Sequence, residues 1–382
     1  MRLAIVTDGI FPYSIGGMQK HSYFLVKFLS KYAELDLYHC KNYNQSLSLH
    51  DLFPDTHQNI HEIAVDFTDT GKWPLHYLNA SKNYSKTVFN IFEQRPMPDI
   101  VICKGFTGWE FVRQKKNNSE ICPVLVNFHG YEMFQESYTI KSKIISSILR
   151  PIVRNISKGA DYCFSYGGKI TELLKDKLGI HESHILEFPS GIESNKVIDY
   201  IKDHVGHVKF CFVGRNEPRK GIFELTAAIK GLVQISNWSF DFVGPIPEHL
   251  QIKADNIFYH GLKTKEEDIT SILQKCDVIV CPSWSEGMPN VILEAMANGL
   301  AVLATDTGAT SLLVNNETGW LLSSHSPVEI KNALIKIVSI ERNELNKKRE
   351  RALSKIKTEF VWDSISDHLI SRLRSIGENG RQ

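Results

Sequence analysis

The chain has 382 residues, 42% apolar and 23% charged, with 44 Lys plus Arg against 43 Asp plus Glu. That length suits two domains, and the composition excludes a disordered or low-complexity chain. Charge is balanced in both halves, with 22 basic and 21 acidic residues over 1–200 and 22 of each after it, so a nucleic-acid partner is not expected.

In chain order, Leu3-Ala4-Ile5-Val6 reads as a first buried strand, not a signal peptide, because Asp8 ends the apolar run at once. A glycine turn follows, then Phe24, Leu25, Phe28 and Leu29 at helical spacing, then a second strand over residues 35–38. This is a βαβ unit. Residues 41–98 are rich in Asn, His and Asp and are expected to hold loops and one or two helices. Further strands are expected over 99–103, 124–128, 162–165 and 185–188. A second series begins near Val208, with strands over 209–213, 240–243, 257–260, 278–281, 301–305 and 320–322, most running into Gly or Pro. Strand-then-glycine repetition marks a parallel sheet whose loops gather at the carboxyl ends of its strands. The fold class is therefore α/β, with two doubly wound Rossmann-like domains facing a central cleft. The polar stretch 193–207 separates them. Trp362, Ile365, Leu369, Leu373 and Ile376 form one apolar stripe of a last helix, which docks on a domain the pattern does not decide.

No apolar run reaches the roughly 18 residues of a membrane span. Seven scattered cysteines with no C-x-x-C spacing suggest neither a disulfide framework nor a zinc site. Reduced thiols in the cytosol are the expectation.

Four segments carry candidate chemistry. Ser285-Glu286-Gly287-Met288-Pro289-Asn290-Val291-Ile292-Leu293-Glu294 follows an apolar strand and opens a helix, with Pro289 suited to the first helical turn. Amides at such a helix start favour an anion such as a pyrophosphate. Glu286 sits just before the helix and Glu294 about a turn and a half inside it, so they can contact opposite ends of one ligand. Taken alone, Glu294 is equally an ordinary surface glutamate and Glu286 a loop charge. Gly214-Arg215-Asn216-Glu217-Pro218-Arg219-Lys220-Gly221 also ends a strand. There Arg215 can fork onto phosphate oxygens and Lys220 can add a point charge, whereas Arg219 reads as a solvated basic residue balanced by Glu217. Gly16-Gly17 precedes the first helix and lets the backbone approach a ligand, without the G-x-G-x-x-G spacing of a dinucleotide fingerprint. His129 ends a strand where a cleft ligand would sit.

Together these segments resemble the retaining glycosyltransferases of family 4, the glycosyl transferases group 1, which have the GT-B fold. Glu286 and Glu294 match an E-x7-E motif, Gly214-Arg215 with Lys220-Gly221 a phosphate motif, and Gly16-Gly17 with His21 an amino-terminal glycine loop. Ala304-Thr305-Asp306-Thr307-Gly308 and Thr318-Gly319-Trp320-Leu321 resemble the family's later signature. Pro189-Ser190-Gly191-Ile192-Glu193, Asn216, Ala309 and Ser311 depart from it. The resemblance implies an acceptor-side domain over 1–195, a nucleotide-sugar domain over 196–360, and a final helix over 361–382 packing back toward the first domain. It also implies transfer of a sugar from a nucleoside-diphosphate sugar to an acceptor hydroxyl, in surface polysaccharide or glycolipid assembly. Glu286, His129, Arg215 and Lys220 are then the catalytic set. Gly16, Gly17, Gly287, Met288, Pro289, Asn290, Val291 and Glu294 bind substrate, and no metal or other cofactor is needed. The partners are the donor and a carbohydrate or lipid-linked acceptor. An epimerase or phosphorylase of the same fold, or a non-catalytic sugar-nucleotide binder, are the alternatives.

Between Lys104 and Lys158 there are nine basic and four acidic residues. Within that stretch Ile144, Ile145, Ile148, Leu149, Ile152, Val153 and Ile156 recur at helical spacing around Pro151, which is expected to kink the helix or divide it in two. A core-facing helix with a basic outer side explains the pattern. A face resting on anionic membrane lipid explains it as well, and would place a cytoplasmic protein at the inner face of the cell membrane.

Overall fold

A computed structural model of the chain describes residues 1–14, 16–40, 47–68 and 76–379. Strands β1 (Arg2–Val6), β2 (Glu34–His39), β3 (Ile60–Ala64), β4 (Ile100–Lys104), β5 (Val124–Asn127), β6 (Tyr162–Ser165) and β7 (Ile185–Glu187) form one sheet in the order β3-β2-β1-β4-β5-β6-β7. Strands β8 (Val208–Val213), β9 (Trp238–Val243), β10 (Ile257–Tyr259), β11 (Val278–Cys281), β12 (Ala301–Thr305) and β13 (Gly319–Leu322) form a second, in the order β10-β9-β8-β11-β12-β13. Every pairing in both sheets is parallel. The α/β expectation of two doubly wound domains is met.

Alternate strand residues bury on opposite faces, as the period of two requires. In the first sheet Ala4, Val6, Val101 and Cys103 enter one core, while Leu3, Ile5, Ile100 and Ile102 enter the other. The second sheet divides likewise, with Ile279 and Val302 on one face and Val278 and Leu303 on the other. With apolar cover on both faces, these strands read as nearly continuous apolar runs, which is why most were legible. Their ends differ from expectation by one or two residues; β9, for instance, starts at Trp238.

One strand was missed. β3, Ile60-His61-Glu62-Ile63-Ala64, lies at the sheet edge in the region expected to hold only loops and helices. That region also contains a short helix, Leu49–Leu52, and a longer one, His76–Phe92. Its residues 41–46 and 69–75 lie outside the described set.

The chain passes from the first sheet to the second after β7 and returns near Val361. The two crossings run side by side: Ile192 N donates to Phe360 O at 2.9 Å and Trp362 N to Ile192 O at 2.9 Å. The last helix, Trp362–Asn379, then packs on the first domain. Trp362 is fully buried, stacked on Phe24 and Phe28 with ring centroids 5.4 and 5.6 Å away.

Residues Ile140–Gly159 form one helix that runs through Pro151, so it is not divided in two. Its buried apolar residues, Val153 and Ile156, lie in the second half. Ile140, Ile144, Ile145 and Ile148 are exposed, with Ile140 81% accessible. The expectation of a core-facing apolar side with a basic outer side is thereby corrected for Ile144, Ile145 and Ile148, and holds for Val153 and Ile156. Among the described residues no helix is long and apolar enough to cross a membrane.

Candidate functional site

In a doubly wound sheet, the loops at the carboxyl ends of the two strands flanking the order reversal diverge and leave a crevice. The reversal falls between β1 and β4 in the first sheet and between β8 and β11 in the second. The Gly16-Gly17 turn follows β1, the 214–221 loop follows β8, and the 282–289 loop follows β11. The sequence candidates therefore stand on facing edges of the two domains.

Glu286 lies at the centre, 6% exposed. Lys220 Nζ donates to its Oε1 at 2.6 Å, and Arg219 Nη1 lies 3.6 Å from its Oε2. Burial pushes the Glu286 carboxyl up, but the charges of Lys220 and Arg219 outweigh it and hold the group below the usual range. Arg219 is thus not the solvated turn residue expected. Its side chain is 17% exposed, and it donates to Ser285 O at 3.0 Å while facing Glu132 of the first domain at 3.5 Å. Arg215 has the more open position, its side chain 65% exposed beside Glu217 at 3.1 Å.

Glu294 lies on the helix Asn290–Ala297, whose first amides, at Asn290 and Val291, have no acceptor inside the helix. Lys20 of the first domain donates to Glu294 Oε1 at 2.6 Å, so the two domains meet here through an ion pair. Pro289 is the residue before the helix, not part of its first turn. Met288 is 2% exposed and its sulfur accepts a hydrogen bond from Ser190 N at 3.1 Å; its side chain belongs to the core, which leaves only its backbone for a ligand. Asn290 Oδ1 accepts from Ser190 Oγ at 3.3 Å. Gly287 touches the opposite domain: a Cβ on Gly130 would stand 2.9 Å from Gly287 N, so only glycine permits this approach.

His129 follows β5 with φ of +57°, an uncommon backbone for a residue with a Cβ. Its Nδ1 pairs with Tyr166 Oη at 2.6 Å, and a Cβ on Gly17 would stand 3.4 Å from its Nε2. Gly16 directly precedes the helix that begins at Gly17. Burial and the neighbouring Lys104 charge pull the His129 pKa down to about 3, so the imidazole is neutral at physiological pH.

Beneath His129 lies a group that sequence reasoning missed. Lys104 is 1% exposed and donates to His21 Nδ1 at 2.9 Å and Asn127 Oδ1 at 3.2 Å. Burial pulls its pKa from 10.5 down to about 7. Between those values the unfolded chain holds a proton that the folded chain lacks, so this residue makes stability rise with pH. Lys104→Met is expected to lose that rise, its melting temperature gaining on the native chain's at pH 6 and losing ground by pH 9. Parallel pH-dependent profiles for the two proteins would reject the assignment. The signal was present in the sequence, since Lys104 ends an apolar parallel strand just as His129 follows one.

Gln135 was missed as well. Its Nε2 donates to both Glu286 O and Gly130 O at 2.5 Å, and its Oε1 accepts from Glu286 N at 3.2 Å. A first-domain amide thus grips the backbone of the central carboxylate. Among the described residues no three His, Cys, Asp or Glu side chains cluster as metal ligands, and all seven cysteines are free.

Residues 207–339 match the family described as Glycosyl transferases group 1. An uncharacterized glycosyltransferase of Methanocaldococcus jannaschii is 24% identical over 382 residues, covering 94% of each chain. The Escherichia coli UDP-Gal:alpha-D-GlcNAc-diphosphoundecaprenol alpha-1,3-galactosyltransferase is 28% identical over 186 residues, 44% of this chain and 48% of its own. Sucrose-phosphate synthase from Thermosynechococcus elongatus superposes with a TM-score of 0.79 at 17% identity, covering 98% of each chain. The second-domain sequence and the fold of the whole agree: residues 207–339 match the glycosyl transferases group 1, and the chain has the GT-B fold of its glycosyltransferase structural neighbours.

Proposed function

We propose that the chain moves a hexosyl unit from a nucleoside-diphosphate sugar to an acceptor hydroxyl with retention of anomeric configuration. The carrying observation is the buried Glu286, bound by Lys220 and Arg219 and facing the neutral His129 across the two domains. As the glycosidic bond breaks, negative charge grows on the departing phosphate. Lys220, Arg215 and the amides opening the helix Asn290–Ala297 stabilise it, with Arg219 alongside. Glu286 and His129 hold donor-sugar hydroxyls, and Glu294 takes the ribose hydroxyls in exchange for Lys20. The acceptor oxygen bonds to the anomeric carbon on the face the phosphate leaves, and its proton passes to a phosphate oxygen. Positive charge comes from side chains and helix amides, so neither a metal nor an organic cofactor enters the scheme. Incubation with labelled UDP, GDP and ADP sugars is expected to release nucleoside diphosphate slowly without acceptor, at a rate unchanged by EDTA. Tight binding with no turnover of any sugar would instead identify a non-catalytic binder.

The E. coli relative's name specifies a lipid-linked acceptor. A lipid-linked or polysaccharide acceptor is the matching proposal here, with the chain in the cytoplasm at the membrane's inner face. The exposed Ile140, Ile144 and Ile148 recur four residues apart, next to Lys141 and Lys143, as an interfacial helix requires. The basic count of the 104–158 stretch is not all available to a membrane, since Lys104 is buried in the cleft. Each basic residue near anionic lipid contributes about 1 kcal/mol, enough with the isoleucines for reversible attachment. In sedimentation assays the protein is expected to partition to anionic vesicles and be released by salt, with Ile144→Ser/Ile148→Ser markedly weaker. Equal partitioning to neutral and anionic vesicles, or to neither, would favour a soluble acceptor.

A further inference from the structure

A cavity of about 690 Å³ lies between the domains, apart from the cluster around Glu286. Its walls come from both: Gln135, Lys169 and Glu172 from the first, Trp284, Asp306 and His325 from the second. That volume falls within the range of small-molecule sites.

Four wall residues hold a buried polar atom with no hydrogen-bond partner: Trp284 Nε1, Asp306 Oδ1, Thr307 Oγ1 and His325 Nε2. Unmade hydrogen bonds of this kind are costly, and native structures hold few. The set mixes an obligate donor, an obligate acceptor and two groups that serve as either. A sugar hydroxyl, which donates and accepts, suits such a wall after small side-chain rotations.

Charge narrows the class. Glu136, Glu172, Asp176 and Asp306 outnumber Lys169 and Lys177, and Lys169 is already held by Asp306 at 2.8 Å. An acidic excess disfavours phosphates and uronates and leaves neutral or amino-bearing sugars. Trp284 and His325, stacked with ring centroids 4.2 Å apart, add an aromatic element.

The cavity is mechanically tied to the central carboxylate. Gln135, in its wall, grips the Glu286 backbone, and Trp284 lies two residues before Glu286. Gly308, also in the wall, packs so closely that a Cβ there would stand 2.3 Å from the carbonyl oxygens of Glu286 and Gly287.

We infer that this cavity is a saccharide subsite for neutral or amino sugars, holding the part of the acceptor glycan remote from the reacting hydroxyl. The inference rests on the proposed transfer reaction for its occupant's role. A printed glycan array, probed with the full chain tetramerised on streptavidin and with UDP or GDP present, tests it. The native chain is expected to bind neutral or amino glycans. Leu321→Trp, which narrows the cavity from an exposed wall position, is expected to lower that signal at least tenfold while nucleoside-diphosphate affinity measured by calorimetry is retained. Glu172→Lys serves as a second, exposed variant should the first fail to fold. No binding to any neutral or amino glycan, binding to acidic glycans only, or binding indifferent to both variants would overturn the assignment. Glycan binding that persists in a chain with no affinity for any nucleoside diphosphate would sink the donor reading and leave this site standing.

Discussion

Glu286→Gln is expected to slow glycosyl transfer about a hundred- to a thousandfold, with nucleoside-diphosphate affinity unchanged or tighter. The substitution keeps the shape of a side chain that is 6% exposed, and it removes only the charge that Lys220 and Arg219 neutralise. Freed of that partner, the two cations remain available to the phosphates. Alanine is the poorer variant. Beyond the lost charge, alanine removes the carboxylate oxygens that accept from Lys220 and leaves a void at a buried position, which would confuse lost chemistry with lost structure. Transfer at the native rate in a folded Glu286→Gln protein would remove this carboxylate from the site.

Lys220→Ala and Arg215→Ala are each expected to weaken nucleoside-diphosphate binding by about ten- to a hundredfold, the range a charge-assisted hydrogen bond supplies. Their environments differ, and the comparison uses that difference. Lys220 is bound to Glu286 and its removal leaves a buried carboxylate short of a partner, whereas Arg215 stands 65% exposed beside Glu217. The double variant should therefore depart from additivity if both groups serve one diphosphate. Calorimetry showing unchanged affinity in both single variants would put the diphosphate elsewhere.

The sequence was most legible where contacts are local or strictly periodic. Strands such as β1 and β12 stand as buried apolar runs between turn residues, and the Glu286–Glu294 segment carries its own helix start. β3 was hidden because an edge strand buries little: His61 and Glu62 interrupt its apolar residues, and His39 of β2 pairs with Glu62 at 2.9 Å. Arg219 was misjudged for a different reason. The nearest carboxylate in sequence, Glu217, does contact it, at 3.3 Å. The contacts that bury it come from Ser285 and Glu132, each more than 60 positions away. Gln135 and Lys20 share that character, reaching 151 and 274 residues along the chain to Glu286 and Glu294. Periodicity carries no information about such distant pairings.

The side-by-side crossings at Ile192 and Phe360–Trp362 also bear on how the protein is made. The first domain is not one continuous stretch of chain, because its core includes Trp362, Ile365, Leu369 and Leu373 from beyond the second domain. Domains of a growing chain ordinarily fold in the order of synthesis. Here the second domain, contained between the crossings, has all its strands before the first has its last helix. Phe24 and Phe28 wait for an indole made more than 330 residues later. The ribosome thus finishes the inner domain before the outer one.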